Sequence, residues 1–182
     1  EGQYDDVRDV MWVSGAAFVC RLSVYKKLGG FASDFFAHME EIDLCWRFVL
    51  AGYRVAVIPQ SAVYHLGGGT LNVSSPRKTH LNHRNNLAML FRCASPGQRI
   101  VVALVRPALD MAAAASYLLK GEWGNFKAVL KAYKEFIAWH PRLQRQRHAI
   151  QSSKVSNQKG IYRGSIILRY IFKSRKFGDL SI

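Results

Sequence analysis

An acidic cluster at residues 40–43 is the part of the sequence best suited to acid–base chemistry. Glu40, Glu41 and Asp43 lie within four positions, where an aromatic-rich segment changes into an amphipathic helical pattern. Carboxylates in the first turn of a helix are stabilised by its free backbone N–H groups and by the macrodipole. That field lowers their pKa, so one of them could accept a proton at neutral pH. The alternative is that they only complement the charge of the helix end.

His65 is a second candidate, because it ends an extended segment and precedes a run of three glycines. In an α/β sheet, strand ends and helix N-termini meet at one edge, where ligands usually bind. A neutral imidazole at that edge could coordinate a metal ion, while Glu41 could take a proton from a nucleophile. The alternative is that His65, as a single histidine, has a structural role.

The segments that would position these residues alternate between strand and helix patterns. Residues 10–20 form an apolar run typical of a buried strand, and residues 53–58 predict a second strand that Pro59 ends. Between them, residues 24–28 predict a short helix with Ser23 as its N-cap, and residues 40–51 predict an amphipathic helix. This order indicates an α/β fold.

Beyond Pro76 the sequence becomes helical, with candidate helices over residues 78–91, 100–119 and 125–139, the last one stopped by Pro141. The second candidate has the length of a membrane span, but Arg106, Pro107 and Asp110 interrupt its middle. An interfacial helix, or a helix packed on the domain, fits this pattern better. The alternative is an ordinary helical hairpin of a protein that does not contact membranes.

Charge divides the chain into two unlike parts. The formal net charge is +14, but residues 1–75 carry 6 Lys/Arg against 8 Asp/Glu, which leaves about +16 on the remainder. Such asymmetry points to an anionic surface contacted by one half, either nucleic acid or a membrane. The 3 cysteines are widely spaced in apolar surroundings, which suits buried thiols in a reducing compartment, and no secretory leader opens the chain. We therefore expect a cytoplasmic protein.

Six short motifs occur in the order and spacing found in family 2 glycosyltransferases. They are Trp12-Val13-Ser14-Gly15-Ala16, Gly29-Gly30-Phe31, Asp34-Phe35-Phe36, the segment from Glu40 to Arg47, Ala51-Gly52-Tyr53 and Val63-Tyr64-His65. Residues 8–95 resemble the C-terminal half of the GT-A catalytic domain in bacterial enzymes related to rhamnosyltransferases of surface-polysaccharide assembly. The resemblance implies inverting transfer of a sugar from a nucleotide-diphosphate donor to an acceptor hydroxyl.

The resemblance also implies roles for the acidic cluster. The second member of the family's acidic pair is the catalytic base, and that position is Glu41 here, where the family has Asp. Asp43 would support the site through Arg47, which is one helical turn away and could approach the diphosphate. Glu40 would line the substrate pocket.

The remaining site residues implied by the resemblance bind the substrates. His65 matches a histidine that helps to hold the Mg²⁺ or Mn²⁺ ion bridging the diphosphate, and Trp12, Gly15 and Phe36 match positions that shape the donor and acceptor pocket. Gly68, within the glycine run, would be part of the hinge of a loop that closes over the donor.

The predicted organisation is the C-terminal half of a GT-A domain in residues 1–95, a membrane-interfacial helical hairpin in residues 96–150, and a basic, loosely structured tail in residues 151–182. The nucleotide-binding half would precede this chain, so we expect no transferase activity from the chain alone. The expected partners are a nucleotide-sugar donor, a glycan or glycolipid acceptor, the missing half and the inner face of the plasma membrane.

Two other functions stay open. A nucleic-acid-binding module would use the basic segment from Arg142 to Arg147, although no recognition motif accompanies it. A catalytically inactive scaffold would keep the glycosyltransferase fold without the reaction.

Overall fold

The computed structural model describes residues 5–65 and 75–155, and the described part is mainly helical. Its elements are strand β1 (Arg8–Asp9), helix α1 (Leu22–Lys27), a single 3₁₀ turn (Ser33–Phe35), helix α2 (Glu40–Leu50), strand β2 (Ala56–Val57) and helices α3 (Pro76–Cys93), α4 (Pro96–Leu119) and α5 (Trp123–Ser152). The half GT-A domain stays a prediction, because the described residues hold one short antiparallel ribbon rather than a larger sheet.

The ribbon joins the two segments that were predicted to be strands, but it is much shorter than predicted. Arg8 pairs with Val57 and Asp9 with Ala56, and Val10 adds one backbone hydrogen bond of 2.9 Å to the Val55 carbonyl. The prediction of a buried strand over residues 10–20 is wrong, since no other described strand pairs with this segment and Val19 is fully exposed. An apolar run needs a partner for its backbone groups before it becomes a strand.

Helices α1 and α2 agree more closely with the sequence pattern. Helix α1 lies near the predicted position but follows Arg21 rather than Ser23, and it ends at Lys27, shortly before Gly29 and Gly30, which both have positive φ angles. A Cβ atom on Gly30 would lie 2.8 Å from the Tyr25 ring, so only glycine fits there. The helix predicted over residues 40–51 is confirmed, and it is buried from Asp43 onward.

Helix α2 is the centre of the core. One buried cluster joins it to the 3₁₀ turn and to helices α3 and α5, through Phe35, Trp46, Leu50, Ala88, Met89, Cys93, Ala94 and Leu143. A second cluster lies between α2 and the ribbon and contains Leu44, Cys45, Phe48, Val49 and Val55. Residues from both sides of position 95 therefore share one core. Cys45 and Cys93 are buried as expected, whereas Cys20 is exposed.

The three C-terminal helices are present, and they are longer than predicted. Ser75 caps α3, and Ser95 forms a capping box with Gln98 at the start of α4. The predicted stop near Pro141 is wrong, because α5 continues to Ser152. Packing holds the helix on both sides of the proline: the His140 ring lies against Phe91 at 5.1 Å, and Leu143 is 1% exposed.

Helix α4 turns its charged residues inward. The Asp110 carboxylate contacts His83 of α3 at 3.0 Å, accepts a hydrogen bond of 2.8 Å from the Tyr133 hydroxyl of α5, and pairs with Arg106 at 2.8 Å. Burial alone would raise the pKa of Asp110, but these hydrogen bonds outweigh burial and hold it at about 2. Asp110 therefore anchors α4 to the other helices.

The low pKa of Asp110 predicts a specific dependence of stability on pH. A carboxyl group whose pKa is lower in the folded state stabilises the protein fully above its unfolded value of 3.8, and this contribution is lost as the pH falls through 2. The Asp110→Asn variant should be less stable than the parent chain, and this difference should shrink by about 1 kcal/mol between pH 6 and pH 3. Urea unfolding monitored by circular dichroism measures it.

Asp9→Asn provides a matched control, because Asp9 forms an exposed pair with Arg54 and such pairs contribute little. A stability difference for Asp110→Asn that does not change with pH would contradict the prediction.

Candidate active site

The acidic cluster follows a loop whose backbone is unusual. Phe36, His38 and Met39 have φ angles of 62°, 68° and 71°, although none of them is glycine. Residues other than glycine rarely adopt this left-handed region, and each instance costs about 1–3 kcal/mol unless the surrounding structure enforces it. Three such residues immediately before Glu40 indicate that the direction of the first turn of α2 is enforced by its surroundings.

Asn85 of α3 enforces this conformation. Its side chain is completely buried, and its amide nitrogen lies 2.9, 2.9 and 2.8 Å from the carbonyl oxygens of Phe35, Ala37 and His38. Because the amide has two hydrogens, these three acceptors share them. Sequence analysis missed Asn85, since an asparagine within a polar helix carries no local signal of what it contacts.

Asp34 provides a second attachment point at the start of the loop. Its backbone carbonyl accepts a hydrogen bond of 3.1 Å from Arg84, and its carboxylate accepts one of 2.8 Å from Arg142. Arg84 belongs to α3 and Arg142 to α5, and both guanidinium groups lie 4.4 Å from the centre of the Trp139 ring. Helices α3 and α5 thus hold the loop that leads to the acidic cluster.

Glu40 and Glu41 are both half-buried at the start of α2. One carboxylate oxygen of each, Oε2, is shielded from solvent and has no hydrogen-bond partner within the described chain. Burial, together with the neighbouring Glu41 carboxylate, raises the pKa of Glu40. The sequence-based expectation of a lowered pKa is therefore wrong for Glu40, because loss of solvent outweighs the stabilisation by backbone hydrogen bonding.

Gly15 lies directly beside Glu41. A Cβ atom built on Gly15 would lie 3.5 Å from Cβ, 3.7 Å from Cγ and 3.8 Å from Cδ of Glu41. The structure thus brings together two residues that the sequence separates by 26 positions. Because glycine has no side chain, Glu41 meets no Cβ atom on this side.

The other predicted pocket residues are exposed near the start of α2 or on the segment before α1. Trp12 is about half exposed. The Phe36 ring is mostly exposed, and the Arg77 guanidinium lies over its face, 4.7 Å from the ring centre. An exposed aromatic ring with a cation over its face is well suited to contact a polar ligand that has apolar patches. Sequence analysis did not select Arg77.

His38 also belongs to this neighbourhood. Burial and the positive charge of Lys78 lower the pKa of His38, and the negative charge of Glu41 opposes them. Its Nε2 atom is buried without a hydrogen-bond partner among the described residues. The neutral form of His38 is therefore favoured next to Glu41.

Asp43 and Arg47 form the predicted pair one helical turn apart, but both are buried. The Asp43 carboxylate is inaccessible to solvent and binds Arg47 at 2.9 Å and also Arg92. The Arg47 guanidinium donates its other hydrogen bonds to the carbonyls of Leu28 and Gly30. The assignment of Arg47 to diphosphate binding does not fit this arrangement, because its donors are already used inside the protein. Asp43 likewise acts as a positioning residue.

The described residues do not by themselves form a metal site. His65 is exposed at the last described position before residue 66, and Gly68 lies outside the described residues. Across residues 5–65 and 75–155, no group of three His, Cys, Asp or Glu side chains is arranged to hold a metal ion. Within this part of the chain, His65 could provide a single ligand only.

Comparison with known proteins gives partial matches to enzymes that transfer sugars. The chain is 36% identical over 58 residues to N-acetylglucosaminyl-diphospho-decaprenol L-rhamnosyltransferase of Mycobacterium tuberculosis, and 41% identical over 56 residues to the pre-mycofactocin glycosyltransferase of the same organism. It is 36% identical over 56 residues to rhamnosyltransferase WbbL of Escherichia coli. These matches support a relationship to glycosyltransferases.

The matches cover only part of each protein. They include 31–32% of this chain, and 19%, 12% and 21% of the three relatives in the order given. No family model and no solved structure matches the chain.

Replacing Asn85 should destabilise the protein more than a typical surface change. Asn85→Ala removes both amide hydrogens from three carbonyl groups in a buried setting, which should lower the free energy of unfolding by about 3 kcal/mol. Gln144→Ala is the control, since Gln144 is an exposed residue of α5 and its loss should cost less than about 0.5 kcal/mol. Equal urea midpoints for the two variants would show that Asn85 does not hold the loop.

Proposed function

We propose that this chain is part of an inverting glycosyltransferase in which Glu41 is the catalytic base. The observation that carries the proposal is the setting of the Glu41 carboxylate. It is half-buried at the first turn of α2, it follows a loop enforced by Asn85, it has one unpaired oxygen, and Gly15 lies beside it without a side chain. The partial matches to glycosyltransferases support the same class of reaction.

The reaction would be a single displacement at the anomeric carbon of a nucleotide-diphosphate sugar. Glu41 takes the proton of an acceptor hydroxyl as that oxygen bonds to the anomeric carbon, and the bond from this carbon to the diphosphate oxygen breaks with its electron pair on the diphosphate. The enforced loop keeps the carboxylate in place before substrate binds, so little reorganisation is needed during the reaction. Attack from the face opposite the leaving group inverts the configuration.

A metal ion forms part of the proposal only through His65. Mg²⁺ or Mn²⁺ would neutralise charge on the departing diphosphate, and His65 would supply one ligand, with the other ligands coming from outside the described residues. Gly68, which lies outside the described residues, stays a proposed hinge because the resemblance to family 2 glycosyltransferases implies it.

The donor, acceptor and location are proposed from the relatives and from the chain's charge. One relative is named for transfer of L-rhamnose to a diphospho-decaprenol-linked sugar, and we propose a lipid-linked glycan as the acceptor here. Such an acceptor places the enzyme at the inner face of the plasma membrane, which agrees with the +14 net charge of the chain.

The basic segment of α5 does not favour nucleic-acid binding. Arg142 pairs with Asp34 at a partly exposed position, and Arg147 is buried and donates hydrogen bonds to the carbonyls of Phe91, Arg92 and Ala94. Arg145 is the exposed arginine of this segment. A phosphate-binding surface needs several free cations, and here most of them have structural partners.

Replacing Glu41 tests the proposed base directly. Glu41→Gln keeps the size of the side chain but cannot accept the proton. In the full-length protein that contains this chain, the substitution should lower turnover at least about 100-fold. Release of nucleoside diphosphate from a panel of nucleotide sugars measures this turnover. Glu122→Gln, in the turn between α4 and α5, is the control of the same chemistry and should keep most of the activity. An unchanged turnover for Glu41→Gln would show that Glu41 is not the base, and absence of turnover in the full-length protein that contains this chain would indicate an inactive scaffold.

Filling the space beside Glu41 is expected to affect activity rather than stability. Gly15→Val adds methyl groups within reach of the carboxylate, which should exclude the acceptor and lower turnover about ten-fold or more. Because Gly15 is exposed and does not require a positive φ angle, the free energy of unfolding should change by less than about 1 kcal/mol. Gly97→Val, at an open position in the first turn of α4, is the control. Equal turnover in both variants would show that the absence of a side chain at position 15 does not matter for the reaction.

A further inference from the structure

Helix α4 exposes its apolar residues to solvent, whereas Arg106 and Asp110 face the other helices. Among the described residues it is the one helix long and apolar enough to cross a membrane. Its most apolar stretch of 18 residues has a mean hydropathy of 1.4, and only 11% of that stretch is buried. Leu104 is 74% exposed and Leu119 is 89% exposed. The large exposed apolar residues of α4 are Ile100, Val101, Leu104, Val105, Leu109, Met111, Leu118 and Leu119.

These side chains form one continuous surface, here termed the outer face of α4. At 100° per residue, positions 100, 101, 104, 105, 111, 118 and 119 fall within less than half of the helix circumference, and Ala108, Ala112 and Ala115 fill the spaces between them. The face runs along a helix of 24 residues, or roughly 36 Å. Monomeric soluble proteins rarely expose a contiguous apolar surface of this kind unless it binds something.

The opposite face fixes the orientation of α4. Arg106 donates a hydrogen bond of 2.8 Å to Asn86 of α3, and Asp110 binds His83 and Tyr133. Rotating α4 to bury its apolar residues, or inserting it across a bilayer, would break all of these contacts and leave Asp110 charged in an apolar environment. The outer face is therefore fixed toward the outside of the protein.

Helix α5 carries further exposed apolar residues and positive charge beside its contact with α4. Leu130 and Ile137 lie one turn before and one turn after Tyr133, the residue that contacts α4, and both are exposed. Lys127 and Lys134 are exposed on the same side of α5, one turn from these apolar residues.

The turn between the two helices has the composition of a membrane interface. Lys120 and Trp123 are both exposed there. Glu122 is the acidic residue of this turn, and its carboxylate accepts a hydrogen bond of 2.6 Å from Asn125. An exposed tryptophan next to lysines suits the headgroup region, where its ring is half apolar and half solvated.

We propose that the outer face of α4 lies flat in the interfacial region of a bilayer that contains anionic lipids. Its apolar side chains enter the acyl boundary, and Lys120, Lys127 and Lys134 meet the headgroups. A second copy of the chain is a poorer occupant, because both copies carry +14 and neither supplies the opposite charge. The proposal specifies the location given under the proposed function, and it stands independently of sugar transfer.

Vesicle flotation of the purified chain tests the proposal without any enzyme assay. The parent chain should float with vesicles of phosphatidylcholine and phosphatidylglycerol. Leu104→Glu should weaken this partitioning about ten-fold or more, because it places a charge where an apolar side chain enters the bilayer. Val19→Glu is the matched control, since Val19 is a fully exposed apolar residue on another segment, and it should bind like the parent. Circular dichroism checks that both variants keep their helices.

A second variant separates charge from apolar insertion. Lys127→Gln combined with Lys134→Gln should reduce the preference for anionic over neutral vesicles while leaving the helices intact. Equal flotation of Leu104→Glu and the parent, or absence of vesicle binding by the parent, would overturn the proposal. If the parent chain instead forms a dimer and does not bind vesicles, and Leu104→Glu dissociates that dimer, the outer face is a contact between two copies and the proposal is wrong.

Discussion

The buried Asp43 carboxylate is the interaction on which the described structure depends most. It binds Arg47 of its own helix and Arg92 of α3, and Arg47 in turn holds the carbonyls of Leu28 and Gly30 after α1. One side chain therefore connects three parts of the chain. Removing one member of a buried ionic group leaves the others unpaired, which typically costs about 3–5 kcal/mol. The Phe35 ring, 4.8 Å from the Arg92 guanidinium, extends this group to the loop before the acidic cluster.

The same principle explains how the loop before the acidic cluster is held without a sheet beneath it in the described residues. Polar side chains from α3 and α5 reach across to backbone carbonyls, with Asn85 and Arg84 on the loop and Arg147 on the end of α3. These bonds are directional and buried, so they can enforce positive φ angles that apolar packing alone would not select. These hydrogen bonds therefore fix the position of the first turn of α2, which contains Glu41.

This use of arginine changes the interpretation of the charge distribution. The excess of about +16 beyond residue 75 suggested an anionic partner, but Arg84, Arg92 and Arg147 are buried with partners inside the protein. The exposed cations of α5 are mainly lysines. Guanidinium groups suit the interior because several fixed donors satisfy several acceptors at once, whereas lysines suit a solvated or headgroup surface.

Local patterns in the sequence were sufficient to predict the helix that carries Glu41, the three C-terminal helices and the position of Gly29-Gly30, because periodicity, caps and turn glycines act over a few residues. The sequence also singled out Glu41 as the candidate base, through its helix-end position and its motif context, and this role stays a prediction. Tertiary structure alone decided that residues 10–20 are not a strand, that α5 continues through Pro141, that Arg47 is buried and that Asn85 controls the loop. Each of these depends on a partner distant in the chain, and no local pattern encodes which partner a buried polar group will find.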